Sequence, residues 1–194
     1  MKLEKADVLI IGGGIMGGSL AYNLAKEKKK VIVVEKSHVG AEASGRNAGG
    51  VRCQGRAPSE LPLALKSIEI WLGLSQELSF DVEYKRVGNV SVGTTPEQMA
   101  FLEARVKREQ EMGLGVRMIT PEEVFKLAPS LARKDILGGT YCPTDGTANP
   151  IRTSFAFARA ARALGAKIYT HAEVTGIELA WDEIRAVETT RGKM

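Results

Sequence analysis

The fold is decided by residues 6–36, which read ADVLIIGGGIMGGSLAYNLAKEKKKVIVVEK. Residues 6–11 are a short apolar run bounded by glycines, which is typical of a buried parallel strand. Residues 12–30 change to helical spacing, and the β-branched run at 31–36 predicts a second strand. A strand, a glycine turn, a helix and a strand within about 30 residues make one βαβ unit. The stretch therefore predicts an α/β fold.

The glycines of this unit have the G-x-G-x-x-G spacing of a dinucleotide-binding turn, at Gly12, Gly14 and Gly17. The first glycine permits the tight turn, the second lets a pyrophosphate approach the backbone, and the third lets the helix pack on the strand. The N-terminus of the helix adds partial positive charge. The candidate phosphate-binding residues of this turn are Gly12, Gly14, Ile15, Met16 and Gly17.

An acidic residue, Glu35, ends the second predicted strand about 20 residues after the turn, and Lys36 follows it. A carboxylate at this place accepts hydrogen bonds from the ribose hydroxyls of adenosine and disfavours a nucleotide with a 2′-phosphate. The alternative is that the glycines only form a turn and Glu35 is an exposed strand end. The fingerprint by itself leaves the choice between NAD and FAD open.

Composition bounds the protein class. With 44% hydrophobic and 26% charged residues among 194, the chain has the composition of a soluble globular protein. No apolar run approaches the roughly 20 residues of a membrane helix, and residues 1–14 lack a signal-peptide cleavage site, so we expect a cytoplasmic protein with no membrane span. Two distant cysteines, Cys53 and Cys142, and only two histidines suggest neither a disulfide framework nor a metal site.

The formal charge of +4 raises the question of a nucleic-acid partner. The densest basic run, residues 26–30, ends a predicted helix, where cations complement the helix dipole. No aromatic residues that could stack on bases accompany this run. We therefore expect no nucleic-acid binding.

The rest of the chain divides by the style of its predicted elements. We predict helices at 59–78, 95–113, 120–131 and 151–165, antiparallel strands around Gly88-Asn89 at 82–94, a strand entering a loop at 136–150, and a strand followed by two strands about a turn near Trp181-Asp182-Glu183. This pattern gives α/β character to about residue 80, antiparallel character to about residue 148, and α/β character again afterwards. The last six residues are expected to form a turn with nothing after it, as if the chain were cut before another strand.

Residues 43–55, ASGRNAGGVRCQG, contain four glycines, two arginines, an asparagine and a cysteine, and almost nothing for a core. They follow the second strand within ten residues, too soon for another phosphate-binding helix. Here the chain resembles the D-amino-acid-oxidase-like family of FAD-dependent oxidoreductases, in the branch of sarcosine oxidase, glycine oxidase and the β subunits of dye-linked proline dehydrogenases. The matching pieces are DVLIIGGGIMGGSLAYNLA, VIVVEK, GAEASGRNAGGVR, GNVSVG, ITPEEVFKLAPSL, PTDGTANP and GAKIYTHAEVTGIE.

The resemblance implies a Rossmann-like, glutathione-reductase-type FAD-binding domain formed by residues 1–80 and 149–194. It also implies an inserted antiparallel α+β substrate-binding domain, of which residues 81–148 would be a part. Family members are about twice as long, so the fold would be truncated, and the missing half would carry most substrate-selecting side chains.

The resemblance also assigns roles to residues after the second strand. Ser44 would bind the pyrophosphate region, and the backbone of Val174 would meet the adenine. Arg52 would anchor a substrate carboxylate, the alternative being a surface arginine in a salt bridge, and a small buried thiol is favoured at Cys53 over a covalent flavin link. The residues that would run beside the isoalloxazine ring are Arg46, Asn47, Ala48, Gly49 and Gly50.

The activity implied is oxidation of an amino acid or secondary amine by hydride transfer to flavin N5, which gives an imine. Sarcosine, glycine, proline, hydroxyproline and opines are all compatible, and oxygen or another acceptor would take the electrons. Two alternatives stay open: an FAD-binding fragment or subunit without turnover, and an NAD-dependent dehydrogenase. Besides substrate and electron acceptor, partners would be other subunits or the missing C-terminal half.

Overall fold

The computed structural model describes residues 4–131, 134–181 and 183–194. Its helices are α1 Ile15–Lys26, α2 Ala43–Arg46, α3 Leu61–Glu77, α4 Pro96–Glu111, α5 Pro121–Leu127 and α6 Pro150–Ala163, with a 3₁₀ turn at Pro129–Leu131. Its strands are β1 Val8–Ile11, β2 Val31–Val34, β3 Gly50–Val51, β4 Asn89–Gly93, β5 Arg117–Ile119, β6 Gly138–Cys142, β7 Gly146–Thr147, β8 Lys167–Tyr169, β9 Val174–Ala180, β10 Glu183–Thr189 and β11 Gly192–Lys193.

The chain forms two compact units. The first comprises the described residues of Met1–Ala48, Ser75–Val82 and Asn149–Met194, and the second comprises those of Gly49–Leu74 and Glu83–Ala148. The chain thus enters the second unit twice and returns to the first each time.

The first unit contains the βαβ element that the sequence predicts. Strand β2 lies between β1 and β8, and both pairings are parallel. All four residues of β2 are buried, which explains its continuous β-branched character. Helix α1 crosses from β1 to β2 and packs on α6, where a Cβ at Gly18 would lie 3.3 Å from the Cβ of Phe157. Small residues therefore let these two helices approach closely.

A second sheet in the first unit is antiparallel, in the order β11-β10-β9. Strands β9 and β10 confirm the predicted pair about residues 181–183, although Asp182 itself lies outside the described residues. The prediction that the chain ends in a turn with nothing after it is wrong, because β11 follows the turn and pairs with β10 through Glu188↔Lys193 and Thr189↔Gly192. The Thr189 hydroxyl closes the intervening turn by donating to the Gly192 carbonyl at 2.7 Å.

The second unit holds an antiparallel sheet, β4-β6-β5, and a short pair, β3-β7. The prediction of antiparallel strands at 82–94 around Gly88-Asn89 is confirmed for Asn89–Gly93 alone, where β4 pairs antiparallel with β6. Gly88 has φ of +81°, and the Tyr141 ring fills the place where its Cβ would stand. Before it, Lys85 makes only an isolated bridge to Thr147. The chain turns before Gly88, and β4 finds its partner about 50 residues later.

A buried cluster explains why Gly49–Leu74 groups with the second unit. Its members are Cys53, Leu61, Ile68, Val106, Leu114, Val116 and Cys142. The first three come from the segment after β3 and from α3, and the others come from α4, the loop after it, and β6. The functional division at residues 80 and 148 stays a prediction.

The helix starts predicted at Thr-Pro pairs are confirmed. The Thr95 hydroxyl accepts a hydrogen bond from the Gln98 N–H at 3.3 Å at the start of α4. Thr120 and Glu123 form a reciprocal capping box at the start of α5. None of the described helices combines the length and the apolar character that crossing a bilayer requires.

Candidate functional site

A cavity of about 430 Å³ opens in the first unit, where β1 and β2 end. The carboxyl ends of parallel strands are where open α/β sheets bind ligands. Its lining residues come from the turn after β1, the end of β2, the segment leading into α2, and the segment leading into β9. They are Ile11, Gly12, Gly14, Val34, Glu35, Lys36, Gly40, Ala41, Glu42, Ala43, Ser44, Ala172, Glu173 and Val174.

The Glu35 carboxylate organises the floor of this cavity. Glu35 is only 8% exposed, so it is not an exposed strand end. Its Oε2 accepts from the Gly13 N–H at 2.6 Å and its Oε1 accepts from the Ser37 N–H at 2.8 Å. An ionised carboxylate offers about four acceptor positions, so about two remain for outside donors. Ribose hydroxyls are donors of the kind that these positions fit.

The glycine turn forms a cradle that side chains would fill. Gly12 has φ of +103°, and a Cβ at Gly17 would overlap the Gly12 carbonyl oxygen. A Cβ at Gly14 would stand 2.7 Å from the Ser44 hydroxyl, which accepts from the Ile15 N–H at 3.0 Å. The first N–H groups of any helix lack intrahelical acceptors. Here the glycines have no side chains that would cover these groups. This arrangement fits a pyrophosphate.

The segment leading into β9 closes another side of the cavity. The Ala172 N–H donates to the Glu35 carbonyl at 2.8 Å, and the His171 N–H donates to the Ser37 carbonyl at 2.9 Å. These two bonds attach the segment to the residues that follow β2. Val174 therefore lines the same cavity as Glu35.

The structure brings six of the predicted site residues together in the lining: Gly12, Gly14, Glu35, Lys36, Ser44 and Val174. The other predicted residues do not contribute to the lining that the described residues form. They are Ile15, Met16, Gly17, Arg46, Asn47, Ala48, Gly49, Gly50 and Arg52. Gly49, Gly50 and Arg52 belong to the second unit.

The polar side chains at the end of α2 have partners of their own. The Arg46 Nε donates to the Ala41 carbonyl at 2.9 Å, and its Nη2 lies 3.4 Å from Glu42 Oε2. The Asn47 amide donates to the Ala43 and Ser44 carbonyls at 3.1 and 2.9 Å. Both side chains therefore brace this one-turn helix, which presents Ser44 to the cavity.

Sequence reasoning missed several lining residues, among them the loop glycine Gly40 and the pair Ala172 and Glu173. The Gly40 N–H donates to the Gly13 carbonyl at 3.1 Å, which joins this loop to the glycine turn. The signal that could have found them is their position, because each follows a parallel strand at the same edge of the sheet.

Arg52 lies in the second unit and is exposed. Its Nη1 donates to the Gln54 carbonyl at 2.6 Å. A guanidinium has five N–H donors, so this bond leaves donors for a carboxylate.

The two thiols of the second unit are inert by position. Cys53 and Cys142 are free and fully buried, which confirms the prediction of a small buried thiol at Cys53. Burial, with a smaller contribution from Asp145, raises the pKa of Cys53 to about 11. Burial also raises the pKa of Cys142. The described residues contain no group of three or more histidines, cysteines and carboxylates that could hold a metal ion.

These thiols should not react with Ellman's reagent in the native protein at pH 8. The thiolate is the reactive form, and a pKa of about 11 leaves only about 0.1% of Cys53 ionised at that pH. The absorbance after mixing should show no fast release of the coloured thionitrobenzoate anion. Both thiols should react once the protein is unfolded in guanidinium chloride. Rapid stoichiometric labelling of the native protein would contradict the buried placement.

Comparison with known proteins covers nearly the whole chain. Residues 7–194 match the family model described as DAO, FAD dependent oxidoreductase. The sarcosine oxidase subunit beta of Arthrobacter sp is 31% identical over 193 residues, which are 96% of this chain and 48% of that protein. The mitochondrial pyruvate dehydrogenase phosphatase regulatory subunit of Mus musculus is 31% identical over 191 residues, 98% of this chain and 22% of that protein.

Among solved structures, the L-proline dehydrogenase from P. horikoshii superposes with a TM-score of 0.90 at 31% identity, over 99% of this chain and 51% of that one. The chain thus shares its mixed α/β fold and spans about half the length of this enzyme and of the sarcosine oxidase subunit. The family match confirms the resemblance seen in the sequence and favours FAD over NAD, and the chain belongs to the DAO family of FAD-dependent oxidoreductases.

Proposed function

We propose that the first unit binds FAD at the cavity beside Glu35, and that the protein oxidises the carbon–nitrogen bond of an amino acid or secondary amine. The observation that carries the proposal is the combination of a bare glycine turn with a buried carboxylate at one edge of a parallel sheet. In a family of FAD-dependent oxidoreductases, this combination is the expected place for the adenosine and pyrophosphate.

The adenosine half of the cofactor would lie on Glu35 and Val174. The acceptor positions left on Glu35 would take the ribose hydroxyls, and the segment through Val174 would border the adenine. Lys36, whose Nζ is 3.7 Å from Glu42 Oε1, stands at the rim.

The pyrophosphate would lie over the start of α1. Ser44 supports this placement, because its hydroxyl lies beside Gly14 and already bonds the Ile15 N–H. The N–H groups of Met16 and Gly17 continue the same helical turn. Charge on the phosphates would be stabilised by the positive end of the helix dipole.

Residues 46–50 would follow the flavin half of the cofactor. They continue directly from Ser44, leave α2 after Arg46 and lead into β3, which suits a cofactor that extends beyond its pyrophosphate. Backbone N–H groups of Arg46, Asn47, Ala48, Gly49 and Gly50 would stabilise negative charge on the reduced ring.

Cofactor binding and substrate binding are assigned to the two predicted domains. We assign residues 1–80 and 149–194 to a glutathione-reductase-type FAD-binding domain and residues 81–148 to part of an inserted substrate-binding domain. The antiparallel β4-β6-β5 sheet supports the second assignment. The segment Gly49–Leu74 falls within the proposed FAD-binding range but belongs to the same compact unit as that sheet.

Bound FAD supplies a two-electron oxidant, so the protein has to bind and orient the substrate. Arg52 would hold the substrate carboxylate through a guanidinium fork, which suits carboxylates in geometry and charge. Sarcosine and proline, named in two relatives, are both secondary amines that carry a carboxylate. We therefore place N-substituted amino acids, namely sarcosine, proline, hydroxyproline and opines, first among the substrates, with glycine behind them. The electron acceptor is oxygen or another acceptor.

The purified protein should retain visible flavin absorption after FAD is added and unbound FAD is removed, and NADH should not displace the cofactor. The reason is that residues 43–50 continue past the pyrophosphate site toward a flavin. Titrations with FAD and with NADH measure both affinities. A colourless protein, or preferential binding of NADH, would overturn the proposal.

A second candidate is an FAD-binding subunit without turnover, because one relative is named a regulatory subunit. A dye-reduction screen with sarcosine, glycine, proline, hydroxyproline and an opine, with and without oxygen, separates the two. Bleaching of the flavin by an amine under anaerobic conditions supports the enzyme. A yellow protein that no amine bleaches supports the subunit.

A further inference from the structure

Three consecutive backbone N–H groups directly after Arg52 are bound by buried carboxylates. Asp145 Oδ1 accepts from the Cys53 N–H at 2.7 Å, and its Oδ2 accepts from the Gln54 N–H at 3.2 Å. Glu109 Oε1 accepts from the Gly55 N–H at 2.7 Å. Asp145 is fully buried and Glu109 is 2% exposed. Such a set of bonds holds a segment that has no regular secondary structure of its own.

Strand pairing explains why Asp145 is in position to do this. In the antiparallel pair β3-β7, Val51 lies opposite Gly146, so Arg52 would be the next residue opposite Asp145. The backbone ladder ends there, and the carboxylate of Asp145 takes over as acceptor. Asp145 is itself held, because its carbonyl accepts from the Gly88 N–H at 2.8 Å.

The side chain of Gln54 attaches the same segment to the β4-β6-β5 sheet. Gln54 is 1% exposed, and its Oε1 accepts from the Thr140 hydroxyl at 2.9 Å. Its Nε2 donates to the Asn89 carbonyl at 2.8 Å and also contacts Asn89 Oδ1. Asn89 begins β4 and Thr140 lies in β6. The segment is therefore tied to a rigid sheet as well as to Asp145.

The orientation of Arg52 depends on this segment. Its guanidinium donates to the Gln54 carbonyl, so the position of Gln54 sets the direction of the side chain. A free arginine side chain loses rotamer entropy when it becomes ordered, and ordering before binding removes that loss from the cost of binding.

We propose that Asp145 and Gln54 are positioning residues for Arg52, which hold its guanidinium ready for the substrate carboxylate. The proposal rests on the proposed function, because it takes Arg52 as the carboxylate anchor. Neither side chain is required to touch substrate or cofactor.

Asp145 can be replaced by a side chain of the same shape. Burial raises the pKa of Asp145, and the Cys53 and Gln54 N–H groups, the Cys142 thiol and Arg52 partly offset that rise. Asp145→Asn keeps the size of the side chain and one acceptor oxygen, so it tests the hydrogen bonds without opening a cavity.

The test compares Asp145→Asn with wild type, both saturated with FAD. The asparagine has one acceptor oxygen and an NH₂ donor, so it can accept from only one of the two N–H groups. Amide exchange at Cys53 and Gln54 should accelerate, and acetate affinity should fall about tenfold while acetamide affinity stays unchanged. Acetate binding is followed by the line width of its methyl resonance, which needs no flavin signal, and flavin bands are recorded separately.

Three variants complete the test. Glu103→Gln, on the exposed face of α4, is the matched control and should change neither exchange nor acetate affinity. Arg52→Ala should lower acetate affinity at least as far as Asp145→Asn. Gln54→Met removes the side-chain hydrogen bonds that tie the same segment to the β4-β6-β5 sheet. It tests the proposal if Asp145→Asn does not fold.

Unchanged acetate affinity in Asp145→Asn or Gln54→Met, despite faster exchange, would overturn the positioning role. Unchanged exchange would overturn it as well. If Arg52→Ala binds acetate like wild type, both the carboxylate-binding role of Arg52 and the positioning role of Asp145 and Gln54 are refuted. Normal flavin bands in that variant would still support the FAD site. Loss of flavin bands in wild type would refute the cofactor proposal, independently of the acetate result.

Discussion

Gly17→Ala is expected to abolish FAD retention and to lower the free energy of unfolding by about 3 kcal/mol, the upper end for overpacking a buried site. The added Cβ would overlap the Gly12 carbonyl oxygen and lie 3.2 Å from Ile10 Cγ2. Gly12 cannot easily move away, because its N–H donates to the Val34 carbonyl at 2.8 Å and continues the strand ladder. The turn that would cradle the pyrophosphate therefore has to deform.

Gly73→Ala is the matched control, since a Cβ there meets no atom within 4 Å. Gly73 is an exposed residue of α3, and alanine in a helix interior is favoured by about 1 kcal/mol over glycine. Thermal melts and the bound flavin fraction should show a loss for Gly17→Ala and a small gain in stability for Gly73→Ala. A yellow, stable Gly17→Ala protein would refute the turn as the phosphate site.

Glu35→Ala is expected to weaken FAD binding by about a hundredfold. The substitution removes the acceptor for the Gly13 and Ser37 N–H groups together with the positions proposed for the ribose. Glu35→Gln keeps the shape and one acceptor oxygen, so its effect should be smaller. Dissociation constants follow from quenching of flavin fluorescence.

FMN provides the decisive comparison for Glu35, because it lacks the adenosine. Its affinity should be the same in Glu35→Ala, Glu35→Gln and wild type. Glu27→Gln, an exposed acid at the end of α1, controls for the loss of one charge. An equal loss of FMN and FAD affinity would show that Glu35 supports the fold and not the adenosine.

Local signals were sufficient for much of the first unit and for the helices. The βαβ element depends on the apolar run of β1, the glycine turn and the β-branched run of β2, all within residues 6–36. Helices α4 and α5 begin at Thr-Pro pairs whose capping bonds span three residues. The acid after β2 also indicated where the cavity lies, since the ends of adjacent parallel strands meet at one edge of the sheet.

Long-range pairing was beyond the reach of such signals. The alternation at 82–94 indicated strand character but did not identify β6 as the partner of β4. The Tyr141 ring of β6 fits beside β4 because Gly88 has no side chain there. Residues 49–74 join the second unit because Cys53, Leu61 and Ile68 share a core with α4 and β6.

The sequence by itself determined the glycine turn, the acid after the second strand and the family, because these depend on residue types at short, regular spacings. Only the tertiary structure decided which strands pair, and that Asp145 accepts from the N–H of Cys53, 92 residues away in the chain. The physical reason is that a buried polar group takes whichever partner the completed fold brings to it, and chain spacing does not encode that partner.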